Sequence, residues 1–427
     1  MGQTVFVPKE TASGEGRVAA SPETVKRLGG LGLAVVVERG AGEGSRIPDG
    51  DFEAAGATIG GSAEAGKADI VLKVRRPTES ELKTYKKGAV VLASMDPYGN
   101  EGAVAAMGKA GISAFAMEFM PRITRAQSMD VLSSQANLAG YRAVIDAAAA
   151  YDRALPMMMT AAGTVPAAKI FVMGAGVAGL QAIATARRLG AVVTATDVRA
   201  AAGEQVASLG AKFIMTDALK DASGEGGYAR ELTEAEKRAQ ADLVADHIAK
   251  QDIVITTALI PGRPAPRLVS AAMVALMKPG SVIVDLAVER GGNVEGAKAD
   301  EIVTTGNGVK ILGHTNMAGR VAASASALYA KNLFAFLETL VDKEKQELAI
   351  DREDELVKAT LLTDGGKVVH PAFADVASKP EKKPAKKTPA KKTAGSTAKP
   401  AAKKPAAKRT AKTETATGQS PKAEGEG

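Results

Sequence analysis

The stretch Lys169-Ile-Phe-Val-Met-Gly-Ala-Gly-Val-Ala-Gly-Leu constrains the fold more than any other part of the chain. It places G-x-G-x-x-G at Gly174, Gly176 and Gly179, directly after four apolar residues, Ile170 to Met173, that read as a buried parallel strand. In such a unit the first glycine closes the bend, the second lets the backbone approach a pyrophosphate, and the third lets helix and strand pack closely. The helix that follows offers unpaired N–H groups and a positive dipole end to phosphates. It runs to Arg188 or Leu189 and stops at Gly190, a residue suited to a left-handed helix end. A second apolar run, Val192 to Thr196, ends at Asp197, where a carboxylate can accept from a ribose diol. An acid there repels a 2′-phosphate and favours NAD over NADP. Arg199, two residues on, works the other way by offering a phosphate a partner. A glycine turn alone is a weak signal; strand, turn, helix, strand and acid in this order make a nucleotide-binding Rossmann unit.

The 427 residues leave room for two or three domains. Residues 1–132 alternate between helical and strand patterns, with short apolar runs at Thr4–Val7, Ala34–Glu38, Ile70–Val74, Ala89–Leu92 and Ser113–Ala116. Ser21-Pro22-Glu23 starts a helix with an N-cap, a proline at the first position and an early acid. From Ser133 to Ala150 the pattern is helical, and Pro156-Met157-Met158-Met159 breaks it, with the three methionines read as packing residues near a loop. After the Rossmann motif, buried strands follow at Ile253–Thr256, Val282–Asp285 and Val309–Leu312, giving a doubly wound sheet of about six strands. Residues 321–345 read as a long helix returning the chain to the first lobe. The expected fold is α/β: two Rossmann-like lobes joined by two long helices, with a cleft between them. Residues 1–132 and 321–375 form the first lobe and 133–320 the NAD-binding lobe. A Lys/Ala/Pro-rich tail, 376–427, is too polar to fold and is expected to be disordered.

Charge is unevenly placed. The formal net charge is +7, but from Lys379 onward 14 Lys and Arg stand against 4 Asp and Glu, so the rest of the chain is at −3. The tail has no aromatic residue on which a base could stack, which argues against nucleic acid as a partner. There is no cysteine, so disulfides, thiolate catalysis and cysteine-based zinc sites are excluded. Three histidines, His247, His314 and His370, are spread too widely for a histidine-rich metal site, and no metal is expected. No apolar run reaches the ~20 residues that span a bilayer, so no transmembrane segment is expected.

A second group of polar residues lies between the lobes, in Glu118-Phe-Met-Pro-Arg-Ile-Thr-Arg-Ala-Gln-Ser-Met-Asp-Val-Leu-Ser133. Arg122 and Arg125 can bind phosphate or a carboxamide oxygen. Gln127 and Ser133 each donate and accept, as a nicotinamide carboxamide requires. Taken alone, this density fits a polar linker equally well. Likewise, Asp221 to Arg230 is a glycine-rich segment with one aromatic, Tyr228, readable as a plain surface loop or as a mobile lid.

Five runs carry a resemblance: Pro121–Asp130, Asn137–Asp146, Thr160–Pro166, Ala195–Ala200 and Ile255–Gly262. Together they resemble the NAD(H)-binding α subunit, domain I, of proton-translocating NAD(P) transhydrogenase, over about residues 1–375. The resemblance implies a cytoplasmic homodimer, peripheral on the inner (plasma) membrane through membrane-embedded partner subunits. It also implies NAD(H) bound here, NADP(H) bound on a partner domain, and direct hydride transfer between them coupled to proton movement. Position by position, it assigns Arg122, Gln127, Asp130 and Ser133 to the reacting nicotinamide, with Arg125 and Leu132 beside them. Gly174, Gly176, Val177 and Gly179 fall to the pyrophosphate, Asp197, Val198 and Arg199 to the adenosine ribose, Gly227 and Tyr228 to the mobile loop, and Gln240 and Leu259 to further cofactor contacts. Asp130 is expected to fix Arg122 or Arg125.

The related alanine dehydrogenases offer the alternative, a stand-alone NAD-dependent enzyme. Arg17 and Lys73 match their keto-acid site, but Ser94 stands where they carry a catalytic histidine, and none of the three histidines lies near it in sequence.

Overall fold

Runs of β-branched and other apolar residues become the strands of two sheets covered by helices. The computed structural model describes residues 2–217, 230, 232–260 and 262–378. The first sheet has eight strands. From edge to edge they are Lys367–Val368, Leu361–Asp364, Ser113–Ala116, Val90–Ser94, Ile70–Arg75, Thr4–Val7, Ala34–Glu38 and Thr58–Gly60. The last six pair in parallel, and the first two close the Ser113 edge in antiparallel fashion. Side-chain alternation divides the apolar strands between two cores: Val5, Val7, Ile70, Leu72 and Leu92 face one, and Phe6, Val71, Val91 and Ala93 the other.

The second sheet has seven strands, Lys212–Phe213, Val192–Thr196, Lys169–Met173, Ile253–Thr256, Val282–Asp285, Lys310–Leu312 and Ile302–Thr304. All pair in parallel except Ile302–Thr304. Strand order reverses between Lys169–Met173 and Ile253–Thr256, which opens a crevice at their carboxyl ends, where ligands bind in sheets of this kind. Seven strands are present against the expected six or so; Lys212–Phe213 and Ile302–Thr304, at two and three residues, are too short to stand out as apolar runs.

Two long helices connect the sheets. The linker helix spans Val131–Ala150, starting two residues before its expected Ser133 because Asp130 caps it. The return helix spans Ala322–Leu337, followed by a 3-10 turn, Glu338–Leu340. It ends short of the expected residue 345. There the Asp342 side chain accepts from the N–H groups of Glu344 and Lys345 and turns the chain into a small hairpin. Ser134 Oγ donates to Asn332 Oδ1 at 2.7 Å, and Gln135 Nε2 to the Ala325 carbonyl at 3.1 Å, tying the two helices together.

Met157, Met158 and Met159 are not the packing residues their composition suggests. They are 62%, 43% and 77% exposed, on an isolated hairpin of Met158–Thr160 with Gly163–Val165. At the C-terminal end, 3-10 structure runs to Ser378, past the expected boundary at 376, and the rest of the tail lies outside the described residues.

Candidate functional site

The glycine turn has the geometry its sequence implies. Gly174 sits at φ +106°, a conformation that side chains disfavour. A Cβ on Gly179 would overlap the Gly174 carbonyl, whose carbon lies 2.8 Å from that position. A Cβ on Gly176 would meet nothing within 4 Å, so the backbone there is open to the crevice. Gly176 caps the helix Val177–Arg188 with no side chain over its end, leaving the first N–H groups to a ligand. That cradle fits a pyrophosphate.

Asp197 closes the next strand and is buried, with its carboxylate in use. It accepts from the N–H of Ala175 at 2.7 Å and of Arg199 at 2.9 Å, and from Arg199 Nε and Nη2, both at 2.9 Å. Burial works against its charge, but the Arg199 guanidinium and these N–H groups outweigh burial and hold the carboxyl below its usual range. Arg199 thus neutralises the acid at the end of this strand.

The first lobe supplies the opposite wall. Residues Thr124–Met129 form 3-10 turns whose Ala126 and Met129 are buried in the first-lobe core while Arg122 and Gln127 point outward. Asn332 Nδ2 donates to the Ser128 carbonyl at 2.8 Å and pins the segment to the return helix. The expected tie of Asp130 to Arg125 is not formed: the Asp130 carboxylate accepts from Ser133 N–H at 2.9 Å and Ser133 Oγ at 2.5 Å, capping the linker helix. Arg125 also departs from expectation. Both its Nη atoms donate to Asp354 at 2.8 Å, with Glu355 at 3.4 Å, and it is absent from the crevice lining.

Between these walls lies a cleft of about 1250 Å³. It brings together Arg122, Gln127, Asp130, Leu132, Ser133, Gly174, Gly176, Val177, Asp197, Val198, Arg199, Gln240 and Leu259. Gly179 lies behind it as a packing residue, and Gly227 and Tyr228 lie outside the described residues. The cleft also gathers Arg230, Lys237, Arg263 and Arg267, which sequence reading did not single out. Ile260-Pro-Gly-Arg-Pro-Ala-Pro-Arg267 follows the strand flanking the switch point, and its position was the available signal. Among the described residues lining the cleft there is no histidine, and both carboxylates, Asp130 and Asp197, are already engaged.

The cations matching a keto-acid site have protein partners. Arg17 donates to Glu15 at 2.6 and 2.7 Å and to Gln135 at 2.8 Å, and Lys73 Nζ to Glu81 at 2.6 Å, with Glu10 at 3.4 Å. Burial pushes the Glu15 carboxyl up, but hydrogen bonds and charge from Arg17, with Arg75, outweigh it and hold the group at about 2. Ser94 is covered by the return helix, its N–H donating to the buried Tyr329 hydroxyl at 2.9 Å.

Glu118 titrates in the opposite sense. Its carboxylate accepts from Met95 N–H at 3.0 Å and from Asp96 N–H, and burial, opposed by its own backbone N–H, that of Met95 and the charge of Arg76, pushes it up to about 7. An unfolded glutamate titrates near ~4.3. The fold therefore retains this proton where the unfolded chain releases it. The stability so gained is fully present below the unfolded value and is lost as pH rises through about 7, a change of about 3 kcal/mol. Urea-unfolding free energies at pH 5 and pH 8 are expected to differ by that much more in the unmodified protein than in Glu118→Gln. The same pH slope in both proteins would contradict the assignment. Glu15 does not interfere, because its window lies below pH 4.5.

Comparison with known proteins adds to this geometry. Residues 6–139 match the family model described as alanine dehydrogenase/PNT, N-terminal domain, and residues 143–371 match alanine dehydrogenase/PNT, C-terminal domain. The chain belongs to the alanine dehydrogenase/PNT family. It is 56% identical over 378 residues to an NAD(P) transhydrogenase subunit alpha protein of Rhodospirillum rubrum, covering 86% of this chain and 98% of that protein. The crystal structure of transhydrogenase from Sinorhizobium meliloti superposes with a TM-score of 0.77 at 66% identity, covering 87% of this chain and 100% of the other. Alanine dehydrogenase of Mycobacterium tuberculosis is more distant, 34% identical over 299 residues, 69% of this chain and 75% of that protein. Among the described residues no helix is long and apolar enough to cross a membrane, and no cluster of three His, Asp or Glu could hold a metal ion.

Proposed function

We propose that this chain is the NAD(H)-binding subunit of a proton-translocating NAD(P) transhydrogenase. The observation that carries the reading is a dinucleotide-sized cleft whose described lining offers binding groups from both lobes and no histidine or unengaged carboxylate to move a proton. Hydride transfer between two nicotinamides needs no such group; an alanine dehydrogenase does. When bound, NADH supplies a hydride from its nicotinamide, and NADP+ on a partner domain takes it.

The working division is residues 1–132 with 321–375 as the first lobe and 133–320 as the nucleotide lobe. In the second lobe, the N–H groups after Gly176 and Val177 hold the pyrophosphate, with Gly179 allowing the close packing that aims them. Asp197, Val198 and Arg199 take the adenosine ribose, and Gln240 and Leu259 line the remainder. From the first lobe, Arg122 and Gln127 orient the nicotinamide, Ser133 grips its carboxamide, and Leu132 excludes water beside it. Asp130 sets the Ser133 hydroxyl and the start of the linker helix. Arg125 acts at a distance, holding the 3-10 segment on Asp354. The protein's contribution is position and dryness, which act on a transfer between fixed rings as strongly as acid–base groups act elsewhere.

The partners in this reading are membrane-embedded subunits and an NADP(H)-binding domain, so the chain is cytoplasmic and peripheral on the inner (plasma) membrane. It is also a homodimer. The exposed hairpin at Met157–Val165 presents apolar side chains that a single copy leaves in water, and a second copy of this chain is the partner that covers them. Met157→Lys with Met159→Lys is expected to convert the dimer to a monomer in sedimentation velocity, and an unchanged dimer would contradict this placement.

The reading itself is tested by mixing the full chain with an isolated NADP(H)-binding partner domain. NADH oxidation that depends on NADP+, with no NAD+ reduction on L-alanine, is the expected result; the converse pattern favours the dehydrogenase alternative.

A further inference from the structure

One turn of the first lobe reaches the second lobe twice. Met95 to Asn100 follows the strand Val90–Ser94. Asp96 sits in the left-handed region at φ +47°, which aspartate tolerates better than most residues. Its carboxylate pairs with Arg290 of the second lobe, at the end of the 3-10 turn Val288–Arg290. From its own lobe it also meets Arg76 at 3.5 Å and Asn100 Nδ2 at 3.3 Å. Two residues on, the Tyr98 ring lies against Gly262, where an added Cβ would stand 3.0–3.2 Å from the ring atoms. Tyr98 is itself braced by Phe119 at 5.6 Å and Phe373 at 5.2 Å between ring centroids. Gly262 belongs to the stretch whose Leu259, Ile260, Arg263 and Arg267 line the cleft, and Ala265 N–H donates to the Arg290 carbonyl at 2.8 Å. Ion pair and ring therefore grip one connected unit.

We propose that the Met95–Asn100 turn is a latch that fixes the spacing of the two lobes and seats the Gly262–Arg267 loop against bound nucleotide, with Asp96, Tyr98 and Arg290 as positioning residues. None of the three lines the cleft, so they act on the nucleotide only through the loop. The nucleotide half of this inference rests on the function proposed above; the spacing half does not.

The two halves are read separately on the full chain. Because the chain has no cysteine, Glu53→Cys and Ala207→Cys on exposed helix positions, one in each lobe, take spin labels cleanly. The unmodified latch is expected to give one narrow interlobe distance, Arg290→Ala a broad one, and Arg290→Lys a narrow one again. NADH dissociation, followed by stopped-flow fluorescence, is expected to quicken roughly two- to fivefold in Arg290→Ala, the range for losing a half-exposed ion pair, and to return towards normal in Arg290→Lys. Tyr98→Ala, which leaves the ion pair in place, is expected to quicken dissociation as well. Melting temperatures within a degree or two of the unmodified chain would separate positioning from folding. An unchanged distance distribution together with unchanged dissociation in both Arg290→Ala and Tyr98→Ala overturns the latch. A broadened distribution in a chain that binds no NADH upholds the latch and overturns the proposed function.

Discussion

Replacing Gly140 by alanine is expected to weaken NADH binding roughly ten- to a hundredfold and to destabilise the fold by about 2 kcal/mol. Helix propensity alone predicts the reverse sign, since alanine is favoured over glycine inside a helix by about 1 kcal/mol. Packing decides the matter. Gly140 is buried in the linker helix against the first turn of the pyrophosphate helix, and a Cβ there would overlap the Ala178 carbonyl, 2.8 Å from its carbon. That obstacle is backbone and cannot rotate away, so one helix has to move. The linker helix begins at Asp130 and Ser133, proposed above to lie beside the nicotinamide, and the helix after the glycine turn begins at Gly176 and Val177, proposed to hold the pyrophosphate. A shift between them separates the two ends of one ligand. Titration of NADH fluorescence and a thermal melt measure both effects; an alanine variant that binds NADH as the unmodified protein does would remove this crossing from the account.

The second large effect concerns rate and not affinity. Gln127→Asn is expected to slow hydride transfer roughly ten- to a hundredfold while leaving the Kd for NADH within about twofold. The side chain stands on a rigid base: Ala126 and Met129 are 1% and 4% exposed, and Ser128 is tied to Asn332. With the backbone so held, removing one methylene withdraws the carboxamide by about 1.5 Å, and no neighbouring segment follows it. The glycine turn and Asp197, proposed to hold the rest of the nucleotide, lie on the other lobe and are left unchanged. Equal losses in single-turnover rate and in NADH affinity would show Gln127 to be a general binding group instead of an orienting one.

Much of the second lobe is legible in the sequence because its determinants are local. Val192–Thr196, Ile253–Thr256 and Val282–Asp285 have the ends that their apolar runs predict, and the glycine spacing already requires the turn that is seen. What escapes is set by partners distant along the chain. Arg125 cannot be withdrawn from the nicotinamide site without Asp354, 229 positions away, and Lys73 is paired only through Glu10 and Glu81. Asp130 is different: an aspartate directly before a helical run is an N-cap signal, and the resemblance to a functional loop draws the reading away from it. Gly140 has a signal too, in the small residues Gly140, Ala143 and Ala147 along one buried face. Met157 to Met159 mislead because apolar composition usually marks a core, and here it marks a surface.

The central claim is that NADH bound in this cleft gives its hydride straight to NADP+ held by another polypeptide. The decisive measurement uses NADH deuterated at the transferring position, the full chain, and an NADP(H)-binding partner domain in ordinary water. The account predicts that the deuterium is recovered in NADPH, with none lost to solvent. Deuterium found in water, or found in alanine when pyruvate and ammonia replace the partner domain, would contradict it.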